Sequence, residues 1–204
     1  MKRALLYAVL ALASASALAQ YPSRAITLVV GFAPGGGTDT VARVVQKPLS
    51  DRLGQQVVVD NKPGAGGNIA TNMVAKSAPD GHTVMLANVG SLTVAPHLQK
   101  ELPYDPMRDL APISMGVIFP NIVVVHASVP ANTLAEFIKL ARDSPGKYTY
   151  GSSGIGGAGH LAGELLKMMA KIDLVHVPFK GGGPAMQAML GGQIHAYMAT
   201  PVAA

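Results

Sequence analysis

Short apolar runs alternate along the chain with stretches in which apolar positions recur every three or four residues. Ile26 to Phe32 is a continuous apolar run of buried-strand type, closed by the breaker Pro34-Gly35-Gly36-Gly37. Thr38 to Leu53 follows with Val41, Val44, Val45 and Leu49 at helical spacing. Thr38 reads as the N-cap, Asp39 complements the helix dipole in the first turn, and Pro48 is expected to kink or shorten the far end. Val57 to Val59 then reads as a strand, Asn61 to Gly67 as a loop, Asn68 to Lys76 as a helix and Thr83 to Ala87 as a strand.

Beyond Ser91 the pattern loosens through Leu102-Pro103-Tyr104-Asp105-Pro106, a turn-rich surface connection, and strand character resumes at Ile113 to Val117 and Ile122 to Val125. A second alternation predicts helices over Thr133 to Ala141, His160 to Ala170 and Pro184 to Leu190, and strands over Tyr148 to Tyr150, Leu174 to Val177 and Ile194 to Met198. Such alternation predicts an α/β fold with mostly parallel sheets, divided near residues 112 to 122. The stretch from Ile113 to Val129 is apolar enough to suggest a membrane span, but Pro120, Asn121 and His126 interrupt it and favour buried sheet.

The first 19 residues follow a different logic. Lys2 and Arg3 precede an apolar run from Ala4 to Ala13, and Ala17-Leu18-Ala19 supplies the small residues that signal peptidase requires, so export and cleavage after Ala19 are expected. Removing Lys2 and Arg3 with this leader lowers the formal net charge from +5 to +3. The remaining positive residues are scattered singly, which argues against a nucleic-acid surface. With no Cys there is no disulfide, so an exported chain must rely on an ordinary hydrophobic core.

Two Gly-rich turns carry candidate chemistry. Gly31 to Thr38 comes close to the phosphate-binding pattern G-x-x-x-x-G-K-[ST], but Gly37 stands where the Lys belongs. Either an anion cradle or a tight strand-to-helix turn remains. Gly154-Ile155-Gly156-Gly157-Ala158-Gly159 fits the dinucleotide fingerprint G-x-G-x-x-G, yet the strand ending at Val177-Pro178-Phe179-Lys180 carries no acid for a ribose hydroxyl. That turn, with Ser152 and Ser153, offers free N–H groups to a carboxylate instead. The six histidines, His82, His97, His126, His160, His176 and His195, show no ligand spacing, so no metal is expected. His160, at a helix start beside a Gly-rich loop, is placed to touch a ligand, and His176 reads as a core residue. Ser91 and Ser153 are possible nucleophiles, but neither lies in G-x-S-x-G.

Several segments taken together resemble one family: Tyr21-Pro22-Ser23-Arg24, Phe32 to Asp39, Gly64-Ala65-Gly66-Gly67-Asn68, Ala78-Pro79-Asp80-Gly81, His160-Leu161-Ala162 and His176 to Gly181. In order and spacing they resemble the Bug-type substrate-binding receptors of tripartite tricarboxylate transporters. His82 and Phe179 stand where that family usually has Tyr, and His195 where it commonly has Asp. The resemblance implies a two-domain periplasmic binding protein of the type II, flytrap kind. Here that would comprise a leader over 1–19, a first domain over 20–119 and a second over 120–204, incomplete at the C-terminus because family members run well past the position matching Pro201. It implies a monomeric receptor for a small organic carboxylate, such as a di- or tricarboxylate or an acidic amino acid. Such a receptor would serve membrane permease subunits and need no cofactor.

Loops 35–39, 64–68 and 152–154 each precede a helix and are expected to hold carboxylate oxygens without Arg. The expected ligand contacts are Gly36, Gly37, Thr38 and Asp39; Gly66, Gly67 and Asn68; Ser91; Ser152, Ser153 and Gly154; and His160, Lys180 and Gly181. The alternative, suggested by the two Gly-rich turns alone, is an NAD(P)-dependent or hydrolytic α/β enzyme.

Overall fold

The computed structural model describes residues 21–201; the expected leader and its cleavage after Ala19 lie outside the described residues. Strand β1 (Ile26–Val30) is the centre of a three-stranded parallel sheet, flanked by β2 (Val57–Asn61) and β3 (Thr83–Leu86). Ile26 pairs with Val57 and Thr27 with Thr83. A strand covered on both faces needs the unbroken apolar run that ITLVV supplies.

Between β1 and β2 runs α1 (Gly37–Leu53). Its N-cap is Gly36 in extended conformation, which corrects the expectation for Thr38, now inside the first turn. Nor does Pro48 end the helix, which continues to Leu53 and stops at Gly54 in the left-handed conformation. Pro48 and Val44 are both exposed, so water can take the carbonyl that the ring leaves unpaired. The buried stripe also differs from the one expected. Ala42, Val45 and Leu53 meet Ile26, Leu28, Val30, Phe32 and Val57 in the core, while Val44 and Leu49 are exposed. After β2, a 3-10 turn over Ala65–Gly67 leads directly into α2 (Asn68–Ala75).

The excursion after β3 contains a wide turn over Gly90–Val94 and two single-turn helices, α3 (Ala95–Leu98) and α4 (Pro106–Asp109). The strand expected over Ile113 to Val117 is absent. Those residues find no pairing partner, and Ile113, Met115, Val117 and Ile118 are exposed. No helix among the described residues is long and apolar enough to cross a membrane.

Strands β4 (Ile122–Val125), β5 (Thr149–Ser152), β6 (Val175–Pro178) and β7 (Ala196–Ala199) form a second sheet in the order β4-β7-β5-β6. It is parallel except that β4 runs against β7. Its helices are α5 (Leu134–Asp143), α6 (Ala158–Ala170) and α7 (Gly182–Leu190). The strand alternation of β7 sorts the two faces. Ala196 and Met198 join Phe137, Tyr148, Tyr150 and Leu174, whereas Tyr197 and Ala199 join Ala185, Met189 and Ile194 on the other side. Gly159 and Gly163 let α6 lie flush on this sheet, because a Cβ at Gly159 would stand 2.8 Å from the Met198 carbonyl and one at Gly163 would enter the Tyr150 ring.

Candidate functional site

The two sheets meet along glycines. Ala33 donates its N–H to the Lys180 carbonyl at 2.9 Å. A Cβ on Gly36 would lie 2.9 Å from the Gly182 nitrogen, and one on Gly183 would enter the Pro34 carbonyl oxygen. Further along, Gly66 abuts the Ile155 carbonyl, and Gly90 faces Gly156 and Gly157. Between these contacts lies a cavity of about 180 Å³, lined by Phe32, Gly64, Ala65, Gly66, Ser153, Gly154, Ile155, Pro178, Phe179 and Lys180. Among the described residues no protein acceptor takes the N–H groups of Ala65, Gly66, Ser153 or Ile155, and the Lys180 ammonium has no carboxylate partner. Of the residues expected at the ligand, the structure thus brings Gly66, Ser153, Gly154 and Lys180 to one cavity.

The remaining expected residues shape the walls. Asp39 is buried, and its carboxylate accepts the Gly35 N–H at 3.0 Å, the Arg43 guanidinium at 2.9 Å and the Asn61 amide at 3.0 Å. Burial opposes its charge, yet Arg43, Gly35 and Asn61 together hold its carboxyl below the usual range. Gly36, Gly37 and Thr38 form the helix start that this carboxylate ties down. Gly67 ends the 3-10 turn with φ +100°, and a Cβ there would stand 2.5 Å from the Asn88 amide. Asn88 in turn accepts the Ser91 N–H. Ser91 is fully buried, and its carbonyl accepts the Tyr104 hydroxyl at 2.7 Å, with Asn68 Oδ1 3.0 Å from the same hydroxyl. Tyr104, expected on a surface connection, is therefore a buried brace of the 64–68 and 88–91 loops. Gly181 has φ +138° and packs against the Ala33 backbone.

On the second sheet, the Ser152 hydroxyl is fully buried, lies 2.7 Å from His176 Nε2 and accepts the Gly154 N–H at 3.2 Å. A serine this close to an imidazole has the distance of a hydrolytic pair. Ser152 is not among the cavity-lining residues, however, and the other bonds of its hydroxyl go to Gly154, so the pair braces the turn. His160, third in α6, reaches back so that its Nδ1 accepts the Gly156 N–H at 3.1 Å, which matches how Asp39, third in α1, reaches back to Gly35. The His160 and His176 rings are stacked 4.2 Å apart, and Tyr150 lies 4.8 Å from His176. Tyr150 donates to Glu164, and burial followed by that carboxylate pushes its phenol up.

Burial, and then the charge of His160, push His176 down to about 4. The unfolded chain therefore binds a proton on this residue that the folded one refuses, so the stabilisation is complete above the ordinary imidazole value and is lost as pH falls from about 6.5 to about 4. Allowing for solvent around this half-buried ring, roughly 1–2 kcal/mol should disappear over that window. Urea midpoints of wild type and His176→Gln, measured across it, should converge toward the acid end; parallel curves would refute the assignment.

A cleft between two α/β layers, walled by glycine turns at helix starts, is the architecture of a periplasmic binding protein, and solved structures of that class match it. A Rhodopseudomonas palustris protein determined with adipate is 36% identical with a TM-score of 0.83, over 88% of this chain and 60% of its own. MatC of the same organism, with bound malate, is 35% identical with a TM-score of 0.80, over 86% of this chain and 60% of its own. The chain belongs to the tripartite tricarboxylate transporter receptor family, TctC, which it matches over residues 41–204. A curated relative from Pseudomonas sp. strain P51, a UPF0065 protein, is 39% identical over 95% of this chain. The chain spans 58% of that relative's length.

Proposed function

We propose that this chain is a periplasmic receptor that captures a small organic carboxylate between two lobes, 20–119 and 120–204, and delivers it to membrane permease subunits without altering it. The reading rests above all on the N–H groups of Ala65, Gly66, Ser153 and Ile155 and the Lys180 ammonium, which have no protein partner among the described residues and surround one small cavity. Backbone donors at helix starts suit carboxylate oxygens, and one cation offsets one charge of a di-anion. Two relatives solved with dicarboxylates support the ligand class. Export through the 1–19 leader and a monomeric state belong to the same reading.

Thermal unfolding with adipate, malate or aspartate, each at a hundredfold excess over its dissociation constant, should raise the midpoint by about 5–10 °C. NADH and ATP should leave it unchanged. Stabilisation by a nucleotide alone, or turnover of an ester, would favour the enzyme reading instead.

A further inference from the structure

We infer that the cavity admits carboxylates that carry no ammonium group, with Lys180 as the residue that sets this preference, so that an acidic amino acid binds far more weakly than the amine-free acid of the same length. The inference rests on the receptor reading and narrows its ligand class.

The lining donates more than it accepts. The N–H groups of Ala65, Gly66, Ser153 and Ile155 find no protein acceptor among the described residues. Lys180 is the one charged residue on the lining, and its ammonium has no carboxylate partner there. The carbonyls of the same walls are largely taken. Phe32 accepts the Asn61 amide at 3.0 Å, Gly64 the Gly67 N–H at 2.9 Å and Ala65 the Asn68 N–H. Gly154 accepts the Gly157 N–H at 3.3 Å and the Ser152 hydroxyl at 3.2 Å, and Lys180 accepts the Ala33 N–H at 2.9 Å. The Ile155 carbonyl abuts Gly66.

No Asp or Glu lines the cavity. Asp39, the acid of the 35–39 loop, is buried off the lining, and its carboxylate is shared among Gly35, Arg43 and Asn61. Phe32, Ile155, Pro178 and Phe179 make much of the remaining wall apolar. An α-ammonium carried into this space would give up its water to meet apolar side chains and N–H dipoles turned the wrong way for it. Within about 180 Å³ it would also lie close to the Lys180 cation, with little water between them to screen the repulsion. A carboxylate oxygen meets the reverse on every count, and a methylene or keto group at the α-carbon bears neither penalty.

The test uses calorimetric titration at about pH 7.5, where the carboxyl groups are ionised and the amines protonated. Adipate and α-ketoadipate should each bind about tenfold or more tightly than α-aminoadipate, and succinate should exceed aspartate by a similar factor. Because members of a set share one chain length, the ratio within each set reports the ammonium and not the fit of the chain. Lys180→Gln removes the cation and supplies an amide oxygen, so it should weaken adipate and narrow the ratio of adipate to α-aminoadipate. Equal affinities within both sets in wild type would overturn the inference and leave the receptor reading standing. A ratio unchanged in Lys180→Gln would overturn the role given to Lys180. If none of the amine-free acids binds, the receptor reading itself fails for these ligands and the inference falls with it.

Discussion

Gly183→Ala is expected to weaken carboxylate binding by roughly 5- to 150-fold while the chain stays folded. Gly183 is the second residue of α7 and is not among the glycines with positive φ, so alanine suits its local backbone and the helix would gain from it. The obstacle lies across the cleft, where the new Cβ would enter the Pro34 carbonyl oxygen and crowd the Gly35 backbone. Backbone cannot rotate aside as a side chain does, so the 34–36 and 181–183 loops must separate. Overpacking of this kind costs about 1–3 kcal/mol, all of it charged to the state in which the two loops meet. On the receptor reading the loops part when the cleft is empty, and that form bears none of the cost, so thermal stability without ligand is expected hardly to change. Calorimetry with adipate checks the affinity and thermal unfolding the stability. Undiminished affinity in a stable variant would mean that binding does not require these loops to touch.

Parts of this cleft were legible in the sequence because they depend on neighbours in the chain. The run Ile26 to Phe32 followed by Pro34-Gly35-Gly36-Gly37 can only be a strand entering a turn and a helix, and His160 to Ala170 after a Gly-rich loop is read the same way. Ile113 to Val117 has the same apolar character but no partner strand, and a run of apolar residues does not reveal whether a partner exists. The choice between Val44 and Ala42 for the buried face of α1 likewise depends on where the sheet lies, which helical spacing leaves open.

The bracing bonds were the least legible. Tyr104 reaches Asn68 across 36 positions, and Ser152 meets His176 across 24 because β5 and β6 lie side by side in the sheet. The reach-back of Asp39 could have been anticipated, since an acid third in a helix commonly takes an N–H just outside it. The pattern of helix-start loops puts Asp39 among the expected ligand contacts and reads its charge as complementing the helix dipole; in the structure its carboxylate is engaged by Gly35, Arg43 and Asn61.

Asp39→Ala should therefore cost about 2–4 kcal/mol of stability, because it removes one acceptor from three donors at once. The Gly35 N–H would lose the bond that fixes the turn before α1, and Arg43 would swing into water from its half-exposed position at little cost. Asn61 would keep its bond to the Phe32 carbonyl but lose the one to Oδ1. Asp39→Asn retains the shape and one acceptor oxygen, so it should lose less, mainly the charge-assisted bond to Arg43. The pH dependence separates this role from simple packing. The folded carboxyl titrates below its unfolded value, so its stabilisation is present above about pH 4, the ordinary carboxylate range, and is lost as pH falls through the folded value. The gap between wild type and Asp39→Asn in urea unfolding should thus be widest near neutrality and shrink in strong acid. A gap that stays constant with pH would assign the loss to shape, and Asp39 would then be holding the 35–37 turn without its charge.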